Sequence, residues 1–363
     1  MANSSYQVPA KAPDESIVKD LKSGWDRNCP YLGKGDHYPD FLQYFQDEID
    51  DKGWRNVLMQ YIFGEDERSE AMMQRLYAGL LHPIIQVMYG IEWDQPTIIA
   101  EGLAQAAAHE NTRGDLLAQI ERDAASAPSE ASPMSMVEMI ESVRRSEKLA
   151  HCARSDDKDH ISGALERAGG EIVDLLKRVR VKPEEVDERT AEMMHAIAYV
   201  SAATAFHPPH SPRHHLNACL FFVSINQLPF ITDDQKARLL EWKMRFFAIH
   251  YIALGAPPLD LESVMASPVP QDQSHNTISK PEQLFTRYHK IVDDGHTIKV
   301  VRALLVAQEF SKKYAGKEWI RLADDEAWLK AHGVLLRGTE SGSPRWVFGV
   351  GFDDAWKNVP TDA

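Results

Sequence analysis

From Phe41 onward, apolar residues return at helical intervals almost without interruption, and clean alternation of apolar and polar residues is nearly absent. A helix gathers residues three and four apart on one face, whereas a half-buried strand needs strict alternation. Phe41, Phe45 and Ile49 make one such face, and Trp54, Leu58 and Tyr61 or Ile62 make the next. The spacing predicts an all-α protein: a single large, multi-helix, bundle-like domain of residues 38–363 around a central polar cavity. An irregular segment of residues 1–37 precedes it, with Pro9, Pro13 and Pro30 and one short helical stretch near residues 17–21. Residues 67–89 read as one long helix and residues 281–314 as another. A third opens at Pro183 with Glu184 and Glu185 in its first turn, where proline and acids are favoured. A fourth starts at Asp233 and Asp234 and stops before Pro257 and Pro258.

The stretch GLLHPIIQVMYGIEWDQPTIIAEGLAQAAAHE, residues 79–110, is the most informative. It reads as two apolar helices joined at Asp94, Gln95 and Pro96. His82, Gln86 and Tyr89 fall on one face of the first, and Glu101, Gln105 and His109 on one face of the second. The residues around them are leucines, isoleucines and alanines, so these polar groups are expected inside the protein, where each needs a partner. We therefore expect them to line a cavity, with His82 and His109 turned toward one another.

Composition limits the partners. At 363 residues the chain is long enough to bury a sizeable core. The net charge of -14 opposes binding to nucleic acid or to an anionic membrane surface. No apolar run reaches the length of a membrane span and the amino terminus lacks a signal-peptide pattern, so the cytoplasm is the expected compartment. Cys29, Cys152 and Cys219 are too widely spaced for a zinc motif. A GxGxxG after a strand, a GxxxxGK[ST], an HExxH and a GxSxG are all missing, which argues against the familiar nucleotide, metalloprotease and hydrolase sites.

Two constellations lie later in the chain. Lys243 has Leu239, Leu240, Phe246 and Phe247 as its helical neighbours. Such a lysine either snorkels to solvent or sits buried with a lowered pKa. A buried neutral amine can add CO2 to give a carbamate, which acts as a carboxylate-like metal ligand. His289, His296 and Lys299 fall close to one stripe of the predicted 281–314 helix, with Asp293 beside them. The segment FHPPHSPRHHL carries His207, His210, His214 and His215, and reads as a histidine-rich connection leading into an apolar helix.

The pieces YPDFLQYFQDEID, GLLHPIIQVMYGIEWDQPTIIAEGLAQAAAH, KARLLEWKMR, DDGHTIKVVRAL and RWVFGVGFDDAWKNVP resemble the questin-oxidase-like family, in order and over nearly the whole chain. Its members are proteins of fungal aromatic polyketide pathways described as Baeyer–Villiger oxidases. The resemblance implies an oxidoreductase that uses O2 to oxygenate or open an anthraquinone-type ring of an aromatic polyketide. It also implies NADPH dependence and, from relatives similar to non-haem iron enzymes, Fe(II) held by histidines and a carboxylated lysine. Carried over by motif, the metal ligands are His82 of HPxI, His109 of LAQxAxH, Lys243 of LLEWK and His296 of GHxxK. His82, His109 and Lys243 are the catalytic residues on this reading, and Gln86, Tyr89, Glu101 and Gln105 line the substrate cavity. A metal-free or degenerate member that binds a polyketide without catalysis is the alternative.

Three departures from the family pattern stand out. Gln86 occupies the place of a usual second histidine. After Arg213 the family has an aspartate and a histidine in the helix, where this chain offers His215. Members also carry a histidine-rich helical segment before the part matching Ser5. We accordingly expect an open apolar groove, or one filled by residues 1–37.

Overall fold

A computed structural model of the chain describes residues 11–126, 133–204, 213–272, 274–340 and 349–357. All regular structure among them is helical, apart from one antiparallel bridge between Gln271 and Thr277. The protein is all-α, as the periodicity requires. No described helix is long and apolar enough to cross a membrane. The chain divides into two compact units, one formed by residues 1–116 with 227–231, the other by residues 117–226 with 232–363.

The first unit holds helices Glu15–Ser23, Tyr38–Lys52, Trp54–Tyr61, Glu67–Arg75, His82–Glu92 and Pro96–Ala108. Phe41, Phe45 and Ile49 form the buried stripe of Tyr38–Lys52, together with Tyr44. Even the irregular segment contributes, through Val18 and Leu21 of its short helix. His82–Glu92 and Pro96–Ala108 pack against each other at the backbone. A Cβ on Gly90 would stand 2.7 Å from the Ile99 nitrogen, and one on Gly102 equally near that of Val87. Only glycine permits that approach. The break between them lies where the sequence places it: Asp94 takes a positive φ of 47°, Pro96 starts the next helix, and Asp94 Oδ1 accepts from Trp54 Nε1 at 3.0 Å.

Two long helices of the sequence reading are interrupted. Residues 67–89 are not one helix: Glu67–Arg75 ends, and His82–Glu92 starts afresh after Gly79, Leu80 and Leu81 take left-handed conformations. Residues 281–314 likewise split into a short turn, Phe285–Tyr288 and His296–Lys312, with Gly295 left-handed between them. Asp293 caps the new start, accepting from the Thr297 amide at 2.9 Å. Hydrophobic periodicity continues through both breaks, because a turn of suitable length preserves the buried face.

In the second unit, Val186–Ala203 and Asp233–Ala253 are buried on nearly every side. Helices apolar all round belong in the middle of a core. Val186–Ala203 packs against His296–Lys312 and Asp233–Ala253, and the latter also against His160–Leu176. The start of Asp233–Ala253 carries a capping box between Thr232 and Gln235, which satisfies two of its otherwise unpaired amides.

Two histidines of this core are structural. His195 Nε2 lies 2.8 Å from the Arg321 amide and 3.3 Å from that of Leu322. Its Nδ1 is 3.0 Å from Ser311 Oγ, whose own proton goes to the Ala307 carbonyl. Nε2 thus accepts and Nδ1 donates, so the ring is neutral. His332 is fully buried, and both its nitrogens lack a hydrogen-bond partner among the described residues. Burial pushes both pKa values down to about 3. The unfolded chain binds protons here near pH 6.5 and the folded chain does not, so stability present above that pH is lost as pH falls toward 3. Each ring contributes up to about 1.4 kcal/mol of loss per pH unit in that window. His332→Leu is expected to flatten the decline measured by denaturant melts between pH 7 and 4.5. A variant with the wild-type slope would show that His332 takes up its proton as readily in the fold as in the unfolded chain.

Candidate functional site

The left-handed turn before His82 shapes the polar group of the first unit. Gly79, Leu80 and Leu81 have φ of 53°, 55° and 70°. For leucine that conformation costs about 1–2 kcal/mol per residue. It brings Nδ1 of His82, the first residue of its helix, to 2.6 Å from the Gly79 carbonyl. That nitrogen donates its proton there, which leaves Nε2 as the acceptor. A Cβ on Gly79 would lie only 2.5 Å from Nε2 of His109, the residue that caps helix Pro96–Ala108. The two imidazoles therefore meet at Gly79. Burial, and then the charge of His82, lower the pKa of His109.

The rest of this stripe is only partly inside. His82 is exposed, and Gln86, Tyr89, Glu101, Gln105 and His109 are half-buried, contrary to the expectation that all are enclosed. Starting the helix at His82 instead of carrying it through the turn swings that ring toward solvent. Gln86 Nε2 donates to Glu101 Oε2 at 2.5 Å. Gln105 Oε1 is buried without a hydrogen-bond partner among the described residues.

The second unit holds the other two predicted ligands. Lys243 does not snorkel: it is 0% exposed. Its Nζ sits 3.2 Å from Nδ1 of His215 and 5.8 Å from the centre of the Phe247 ring. His215 Nε2 in turn lies 2.6 Å from Nδ1 of His250. Burial lowers the Lys243 pKa, and burial followed by the charges of Lys243, His250 and His214 holds His215 well below the ordinary histidine value. In the neutral form of this line the amine donates to His215 Nδ1, and His215 Nε2–H donates to His250 Nδ1.

Beside this line stands a second pair. His296 Nε2 is 3.2 Å from His214 Nε2, and its Nδ1 lies 2.5 Å from Asp294 Oδ1. The carboxylate fixes the proton on Nδ1 and aims Nε2 inward, the usual means of orienting a ligating or catalytic imidazole. His214 and His215, consecutive in helix Arg213–Ala218, connect the pair to the Lys243 line.

His214, His215 and His250 were not among the predicted site residues. The signal existed: His250 lies seven residues after Lys243 on one helix face, and His214 and His215 open an apolar helix. His207 and His210 lie outside the described residues. His289 and Lys299 do not share a helix with each other, because the chain breaks between them. Among the described residues no three His, Cys, Asp or Glu side chains are gathered in a group that could hold a metal ion. The imidazoles come instead as two pairs, His215 with His250 beside the Lys243 amine and His214 with His296.

The family described as Questin oxidase-like matches residues 1–304. The chain is 31% identical over 379 residues to Baeyer–Villiger oxidase ptaJ of Pestalotiopsis fici, covering 98% of this chain and 82% of that protein. It is 31% identical to a questin oxidase of Aspergillus fumigatus, covering 98% of this chain and 81% of that one. Against Baeyer–Villiger oxidase notM of an Aspergillus species the identity is 36%, over 93% of this chain and 79% of the other. A match of this extent, together with an all-α fold, shows that the chain belongs to the questin oxidase-like family.

Proposed function

We propose that this chain is a Baeyer–Villiger-type oxidoreductase of aromatic polyketide metabolism, which oxygenates or opens an anthraquinone-type ring with O2. The relatives' names carry the reaction class. The observation that carries the site is the fully buried Lys243 amine facing His215, with His250 behind it.

The donor set suits a metal ion in its chemistry. The imidazole nitrogens of His214 and His296, 3.2 Å apart, match the spacing of neighbouring ligands at metal–nitrogen bonds of about 2 Å. Neutral imidazoles with one carboxylate-like ligand are what Fe(II) with open positions requires. Lys243 as its carbamate would supply that ligand, and two of the imidazoles of His214, His215, His250 and His296 the nitrogens, which leaves the other positions open. His82 and His109 form their own donor pair within the first unit, a role the resemblance implies. A bound iron would supply the redox chemistry with O2. The residues themselves do the rest: Asp294 sets the His296 tautomer, and Phe246 and Phe247 exclude water from around Lys243. NADPH as reductant and a cytoplasmic location belong to the same reading.

Elemental analysis of tag-free protein tests it. About one iron per chain is expected, retained on dialysis, and lost in single variants of those donors that hold it. His215→Gln and His82→Gln separate the two groups of histidines, since each reports on one of them. Full turnover in protein that contains no metal would sink the iron assignment and favour metal-free chemistry in the same fold.

A further inference from the structure

The segment of residues 268–272 and the helices Phe285–Tyr288 and Asp325–Glu340 enclose a cleft of about 770 Å3 in the second unit. Neither Lys243 nor the histidines grouped with it lines this cleft. Its size is that of a pocket for a small organic molecule. Its charges are unevenly matched. Arg287 is fully employed: Nε donates to Glu340 Oε1 at 2.9 Å, Nη2 reaches the other carboxylate oxygen, and Nη1 donates to the Gln271 carbonyl at 2.6 Å. Asp272 turns its carboxylate into its own loop, accepting from the Ser274 and Asn276 amides at 2.7 and 2.9 Å. Arg337, which also lines the cleft, makes no ion pair among the described residues. Partial burial at the cleft wall, and then the neighbouring charge of Arg287, press its pKa down, while the rest of the side chain is exposed. Two guanidinium groups at one cleft, only one of them neutralised, form a repulsive arrangement that an anion relieves. Lys290 adds a third cation to the lining, and Pro268, Pro270 and Leu336 give it apolar surface.

We propose that this cleft binds the oxyanion group, phosphate or carboxylate, of a small organic molecule, with Arg337 as its cationic contact. The three apolar residues form the bed on which the body of the ligand lies. Guanidinium recognises both oxyanions through paired N–H donors, so the source is decided by the probe. Isothermal titration of the whole chain with ADP and, separately, with anthraquinone-2-carboxylate reads it directly, with binding rather than turnover as the observable. Arg337 is exposed over much of its length, so Arg337→Gln is expected to keep the wild-type melting temperature. At least one probe should bind saturably, weaken as salt is added, and lose about tenfold or more in affinity in Arg337→Gln. The probe that does so names the oxyanion. Binding of neither probe, or affinities changed by less than about tenfold in the variant, overturns the proposal.

Discussion

Lys243→Met is expected to abolish turnover, by about a thousandfold or more, while leaving the fold intact. Methionine fills nearly the same volume and removes an amine that burial disfavours. The opposing cost is the loss of a donor to His215 Nδ1, worth about 1–3 kcal/mol if that nitrogen stays unpaired. The two effects oppose one another, so the metal-free variant should unfold within about 1–2 kcal/mol of metal-free wild type. Inactivity then reflects chemistry, not collapse. The carbamate gives a second readout. Nitrogen of the neutral amine bonds to the carbon of CO2, one C=O bond opens to the carbamate oxygen, and one N–H proton leaves along the His215–His250 line. Wild type grown or dialysed with 13C-bicarbonate should show a carbamate carbon signal that Lys243→Met lacks. Acetate or formate should partly restore metal retention and activity in Lys243→Ala, where the shortened side chain leaves room for a free carboxylate. Undiminished metal content and turnover in both variants would remove the lysine from the mechanism.

Gly79→Ala is the second large effect. The new Cβ falls 2.5 Å from His109 Nε2 at a backbone φ of 53°. The backbone term costs about 1 kcal/mol. The ring must also move aside, and a displacement of about 1 Å at a reacting group costs on the order of a hundredfold in rate. We expect stability lower by about 1–2 kcal/mol and turnover lower by about ten- to a hundredfold. A cycle with His109→Ala separates the causes. If Gly79 acts by seating the imidazole, the glycine substitution does little further harm once that ring is gone. Purely additive losses would make Gly79 a residue of the turn alone. The His109 pKa, followed by NMR, is an independent check: moved out of its half-buried seat beside His82, the ring should titrate closer to an ordinary histidine.

Much of the helical framework was legible because periodicity reports the buried face directly. Phe41, Phe45 and Ile49 lie on the core side of one helix, and the break at Asp94 and Pro96 falls where turn chemistry puts it. The two missed breaks share one cause. At residues 79–81 and at Gly295 the chain turns through left-handed conformations without upsetting the apolar pattern on either side. A leucine in that conformation carries no sequence signal, since its own preference is against it.

For the site, the sequence determined the residue types and one decisive neighbourhood: four apolar helical neighbours left Lys243 only the choice between solvent and burial. The tertiary structure decided that choice, because Asp233–Ala253 is covered on nearly every side and offers the amine no path out. It also decided the partners. His215 is 28 residues from Lys243 in sequence, and His214 is 82 from His296. No local pattern encodes such pairings. They arise when separate helices, each folded for its own apolar face, pack together and bring their polar side chains within bonding distance of one another.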